Sequence, residues 1–178
     1  ENWYKYVQRL RNHKAWDTKN ISSWDLSLDG AAEINSFLNA SPDVYYFSYS
    51  FSATKKDKLT GYHIPSKDVF LLIRSRAKLL GSRIVFTSNG GETDSTWWEN
   101  DGIVNSRSMR GPTTGQNGAD PIVEYLPSEQ LMQGQWYTFE LIKLDHYQSV
   151  GHMLSNEKRG MLDSIYINHA QLLWSLPK

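Results

Sequence analysis

Two short segments carry the residue types of general acid–base chemistry. One is Trp97-Trp98-Glu99-Asn100-Asp101-Gly102-Ile103-Val104-Asn105, an acid in a turn-rich stretch. The other is Leu144-Asp145-His146-Tyr147, at the end of a predicted strand. An imidazole titrates near neutrality, so it can both take and return a proton at physiological pH. A buried carboxylate behind it fixes its tautomer and stabilises the imidazolium, which is how a weakly nucleophilic serine is activated. Asp101 and His146 are therefore candidates for the acid and base of such a triad. Spacing alone leaves the structural alternative open, because Asn-Asp-Gly is a common turn and Asp-His pairs arise by chance. The third member is missing, since no Gly-x-Ser-x-Gly elbow occurs in the sequence.

The other candidate side chains have simpler readings. His13 reads as a surface residue and His63 as structural. His152 has no helical or strand spacing to His146 that would make the two a ligand pair. His169 falls on the apolar stripe of a predicted helix and reads as a satisfied boundary histidine. Asp145 reads as structural, because neighbouring residues at a strand end point in different directions. Trp97 and Trp98 either pack the acid loop or line an apolar pocket, and packing is the reading preferred here. Arg9, Arg11, His13 and Lys14 read as a solvated helix face.

The elements that must position Asp101 and His146 follow from periodicity. Trp3, Tyr6, Val7 and Leu10 share one helix face, and that helix should end near Asn12. A polar loop over 14–23 follows. Asp29 is the expected N-cap of a second helix with Ala31, Ile34, Phe37 and Leu38 on its apolar stripe, broken by Ser41-Pro42-Asp43. Residues 44–51 read as a buried strand. A helix is expected over 67–80, capped by Ser66, with Asp68 in its first turn and Gly81 at its end. Its stripe is Val69, Phe70, Ile73, Ala77 and Leu80. Residues 87–135 read as one long loop, 136–144 as a strand, and 157–175 as a helix with Met161, Leu162, Ile165, His169 and Leu173 inward. This is an α/β order. Two strands alone would leave edges and faces uncovered, so part of the sheet is expected to lie outside the chain.

Bulk composition narrows the classes. The 178 residues contain 19 Lys plus Arg and 19 Asp plus Glu, so zero formal charge gives no general pull on nucleic acid. No apolar run is long enough to span a bilayer. With no cysteine there is no disulfide, thiolate metal site or Cys nucleophile. The triplets Asn20-Ile21-Ser22 and Asn39-Ala40-Ser41 are glycosylation sequons, which mildly favour a secreted or lumenal protein. The start at Glu1 reads as that of a processed or partial product.

From about Trp3 to Gly151 the chain resembles the C-terminal half of the staphylococcal and thermophilic-bacillus true lipases and their eukaryotic relatives. Tyr6-Val7-Gln8-Arg9-Leu10, Trp24-Asp25-Leu26-Ser27-Leu28-Asp29-Gly30-Ala31, Ser41-Pro42-Asp43-Val44-Tyr45-Tyr46 and Leu59-Thr60-Gly61-Tyr62-His63 carry the resemblance. Glu99-Asn100-Asp101-Gly102-Ile103-Val104-Asn105, Ser108-Met109, Gly111-Pro112 and Leu144-Asp145-His146 complete it. It implies the C-terminal portion of a single α/β-hydrolase domain over 1–178, a mostly parallel sheet flanked by helices and incomplete without its N-terminal half. It implies Asp101 as triad acid and His146 as triad base in a lipase acting on triacylglycerol-like esters. The nucleophile serine would lie in a separate or missing N-terminal part. In the family a structural Ca²⁺ takes a carbonyl aligned with Gly81 and two acids that align here with Gln148 and Met153. Gln offers one carbonyl and Met none, so no family-type calcium site, and no other cofactor, is expected. The family's zinc acid aligns near Tyr4, a poor ligand. The alternative reading is a non-catalytic, lipase-like scaffold subunit. A Trp-rich carbohydrate-binding β-module is disfavoured by the helical stretches.

Overall fold

The computed structural model describes residues 2–14, 18–112 and 122–177. Residues 15–17 of the expected polar loop and 113–121 of the expected long loop lie outside the described residues.

A three-stranded parallel sheet lies at the centre, in the order β1-β5-β4, with β1 at Tyr46–Ser48, β4 at Ile122–Glu124 and β5 at Trp136–Thr138. Tyr137 on the middle strand sits opposite Phe47 on one side and Val123 on the other. Both expected strands are present but shorter than 44–51 and 136–144. Beyond β1, Phe139 N donates to Ser48 O and Ile142 N to Ser50 O. Two residues, Glu140 and Leu141, thus run against one, Tyr49, which interrupts the ladder. Pairing resumes only at Phe51 and Ile142.

Strand β4 falls inside what reads as one loop over 87–135. Its single exposed-apolar alternation is too short to show against Gly, Asn and Ser. The antiparallel pair β2 (Thr54–Lys56) and β3 (His63–Pro65) was likewise not legible. Two lysines and a proline hide its strand character.

The helices also depart from expectation in detail. Helix α1 spans Trp3–Arg11 and is closed by Asn12, as its spacing requires. A short helix, α2 (Ser22–Asp25), replaces the end of the polar loop. Helix α3 is Leu28–Asn35, and its N-cap is Ser27, not Asp29. The Ser27 hydroxyl accepts from Gly30 N at 3.0 Å, while the Asp29 carboxylate accepts from Ser88 N and Oγ. Because α3 stops at Asn35, Phe37 and Leu38 lie outside it and are exposed. The expected helix 67–80 is divided. A 3-10 turn at Leu71–Ile73 leads into α4 (Arg74–Leu80), and Phe70 is extended. Ser66 gives no side-chain cap, since Phe70 N donates to Asp145 instead. Val69, Ile73 and Ala77 still form the buried stripe. Gly81 ends α4, where a Cβ would lie 1.8 Å from the His63 carbonyl oxygen, so only glycine allows this approach to β3.

Helix α5 (Asn156–Ser175) packs on one sheet face through His169, whose ring meets Phe47, Tyr49 and Phe139 at centroid distances of 5.5, 5.4 and 6.2 Å. Leu162, Ile165 and His169 face inward, but Met161 and Leu173 are exposed. The inward stripe is therefore narrower than the sequence pattern implies. Among the described residues, no helix is long and apolar enough to cross a membrane.

Candidate active site

The structure brings Asp101 and His146 together although 44 residues separate them in sequence. Asp101 Oδ2 lies 2.8 Å from His146 Nδ1. The carboxylate is 2% exposed, while the imidazole side chain is 44% exposed. Asp101 Oδ1 accepts backbone N–H groups from Ile103 at 2.9 Å and Val104 at 2.7 Å. This occupies the far oxygen and aims the near one at the histidine. The main chains are joined as well, His146 N donating to Asp101 O at 3.0 Å. A carboxylate only accepts, so Nδ1 carries the proton and the Nε2 lone pair faces away from Asp101.

The acid loop is held by Asn100, which is fully buried. Its Nδ2 donates to Ala77 O at 3.1 Å and Trp98 O at 2.9 Å, and its Oδ1 accepts from Gly102 N at 2.9 Å. Asn100 N reaches Thr54 Oγ1 at 3.2 Å, which ties the loop to β2. Gly102 adopts φ +100°, and a Cβ there would lie 2.7 Å from Ile73 Cδ1. Both the left-handed turn and the close approach require glycine. Asn100 was not singled out from sequence. A side chain that satisfies a turn from within looks, in sequence, like any Asn-Asp-Gly.

The histidine loop is held by Asp145, 1% exposed. Its Oδ1 accepts from Tyr147 N and Gln148 N, and its Oδ2 from Phe70 N at 2.8 Å. Asp145 and Asp101 thus have opposite duties, one turning the backbone and one facing the imidazole.

The remaining candidates lie apart from this pair. Burial lowers the affinity of His63 for a proton, with Glu99 opposing in part, and His63 Nδ1 sits 3.3 Å from Thr54 Oγ1. Burial would raise the Glu99 carboxyl. Hydrogen bonds from Lys143 and Ser52 outweigh it and hold Glu99 below its ordinary range. Trp98 donates from Nε1 to Arg83 O and meets Tyr62 edge-on at 5.1 Å. Trp97 lies beneath the Arg107 guanidinium at 5.3 Å. Both therefore pack. A cleft lined by Ser50, Arg107, Arg110, Thr138 and Glu140 includes neither Asp101 nor His146.

The positions aligned with family metal ligands hold other partners. Gly81 O accepts from His63 N at 2.8 Å. Gln148 Oε1 accepts from Asp145 N at 3.1 Å and from the Lys158 ammonium at 3.0 Å. Met153 is exposed and has a positive φ of 54°. Tyr4 accepts from Gln8 at 2.8 Å. Among the described residues there is no cluster of three or more His, Asp or Glu suited to a metal. An amide oxygen already bonded to an ammonium does not fit Ca²⁺, which needs several free oxygens.

Comparison with known proteins agrees with this architecture. The chain is 26% identical over 166 residues to a lipase of Staphylococcus hyicus, covering 93% of this chain and 24% of that one. Among solved structures it is similar to EstA from Clostridium botulinum, at 34% identity and TM-score 0.74, covering 92% of this chain and 38% of that one. The fold of the S. hyicus lipase also matches, at 24% identity and TM-score 0.75, over 97% of this chain and 42% of that one. The chain thus spans about a quarter of the S. hyicus sequence, and its sheet is the C-terminal part of an α/β-hydrolase sheet. The family described as the lipase-like C-terminal domain matches residues 1–171, and this chain belongs to it.

Proposed function

We propose that Asp101 and His146 are the acid and base of a Ser-His-Asp triad, and that the protein hydrolyses carboxylic esters of triacylglycerol-like lipids. The nucleophilic serine would come from the N-terminal half of the same hydrolase domain, which the longer relatives contain. The observation that carries this reading is the 2.8 Å pair of a buried carboxylate and a half-exposed imidazole. A carboxylate that holds Nδ1 fixes the ring tautomer and leaves Nε2 as its acceptor, which is what a general base requires.

In this reading the serine hydroxyl proton passes to His146 Nε2 as Oγ bonds to the ester carbonyl carbon. The tetrahedral adduct then collapses, its C–O bond to the alcohol breaks, and Nε2 returns the proton to the departing alkoxide. Water next gives a proton to Nε2 and bonds to the acyl carbon. Collapse breaks the bond from the acyl carbon to Oγ, Nε2 returns its proton to Oγ, and the fatty acid and the serine are freed. Asp101 keeps Nδ1 protonated throughout and offsets the charge of the imidazolium. Asp101 and the imidazole need no metal for these steps. Asn20 and Asn39 are exposed, which supports a secreted, glycosylated product.

The test is covalent labelling of the full-length protein with a fluorophosphonate, paired with ester hydrolysis. Labelling of a serine that depends on His146 supports the triad. A protein that takes no label and hydrolyses no ester is a scaffold, and the catalytic assignment fails.

A further inference from the structure

Lys158 stands in the first turn of α5, three residues after the N-cap Ser155. A positive charge there faces the positive end of the helix dipole and is locally unfavourable. Its reason lies outside the helix. The ammonium donates to the Asp68 carboxylate and to Gln148 Oε1, and the lysine side chain is 23% exposed. Asp68 belongs to the segment before α4, and Gln148 to the loop that carries His146. One cation therefore joins three stretches of chain.

Gln148 is the centre of this junction. It is 4% exposed. Its Nε2 donates to Asp68 O at 3.1 Å. Its Oε1 takes both Asp145 N and the ammonium, so the amide cannot be turned over without setting donor against donor. Asp145 in turn binds the N–H groups on the far side of His146 and that of Phe70. The path from Lys158 to His146 is thus one side-chain amide and one buried carboxylate long. Lys158 is also the main cause of the lowered proton affinity of Asp68.

We infer that Lys158 is a built-in cation that clamps the 145–150 loop, in place of the divalent metal for which Gln148 and Met153 are unsuited, and so acts as a positioning residue for His146. Its role toward His146 rests on the catalytic reading above, whereas its role as clamp of the loop stands without it.

The test is amide hydrogen exchange on the full-length protein, with and without EDTA and with added Ca²⁺, for wild type, Lys158→Met, Lys158→Arg and Asp68→Asn. Expected in Lys158→Met is exchange about tenfold faster or more at Tyr147, Gln148 and Ser149, with the middle of α5 unchanged. Lys158→Arg should restore part of the protection, and EDTA should leave wild type unaltered. If Lys158→Met does not fold, Asp68→Asn must show the same local loosening. Unchanged exchange at 147–149 in a folded variant overturns the inference. So does a wild type that loosens in EDTA and recovers with Ca²⁺. Faster exchange in a protein that hydrolyses no ester would keep the clamp and remove only the catalytic reading. In an active enzyme, Lys158→Met should lower kcat and leave KM nearly unchanged.

Discussion

His146 and His169 are both held through Nδ1, one by a carboxylate and one by a phenol, and their surroundings differ in kind. His146 stands in a loop braced by hydrogen bonds to three buried side chains: Asp101, Asp145 and Gln148. His169 stands on a regular helix against Phe47, Tyr49 and Phe139 and reaches Tyr49 Oη at 3.2 Å. Burial pushes the Tyr49 phenol up to about 12, with Tyr125 adding to the shift. Burial also lowers the proton affinity of His169. The first region uses directional bonds to orient a half-exposed imidazole. The second spends apolar area to hide one. A polar network of this kind is intolerant of single losses, whereas an aromatic cluster gives way gradually.

The sharpest way to break the comparison is at the imidazoles themselves. His146→Ala or Asp101→Asn should lower kcat for ester hydrolysis by about 10⁴-fold in the full-length protein. His169→Phe should keep activity within a few fold. Equal losses from both would show that neither histidine is special to the chemistry. Next in size is Asn100→Ala, which strips bonds from Ala77 O, Trp98 O and Gly102 N. It should cost about 3 kcal/mol in denaturant unfolding, and a cost under about 1 kcal/mol would mean that the acid loop is held elsewhere.

A smaller effect concerns pH. The folded state resists the proton that an unfolded His169 accepts at its ordinary 6.5. Its contribution to stability is therefore present above that pH and lost as pH falls below it. His169→Phe should remove this share of the acid slope, read from unfolding midpoints at pH 8 and 5.5, while the share due to His63 remains. The smallest effect is Lys143→Ala, which breaks a 2.7 Å bond to Glu99 from a lysine 64% exposed. It should cost under about 1 kcal/mol, and a larger loss would show that Glu99 helps hold the acid loop.

The same contrast explains what the sequence could tell. Regular elements with a repeating apolar face were legible: α1, the interior of β1 and β5, and most of α5. Features set by a bond to a distant residue were not. Phe70 leaves the helical pattern because Asp145, 75 residues away, takes its N–H. The helix after Ser27 looks as well capped by Asp29, until Ser88 is seen to occupy that carboxylate. Asp101 and His146 could be paired in advance because their chemistry demands a partner and the resemblance supplied the order. Asn100 and Lys158 serve the same corner through backbone and amide groups, which leave no pattern in spacing.

The backbone hydrogen bond from His146 N to Asp101 O runs alongside the bond between their side chains, so the two loops are stitched twice. Only the outer stitch would take part in the proposed proton transfer. A substitution that silences the imidazole leaves the inner stitch available. Fold and reactivity are thereby separable in this corner. In the proposed triad, loss of the imidazole would end the chemistry while the junction of the two loops keeps its backbone bond.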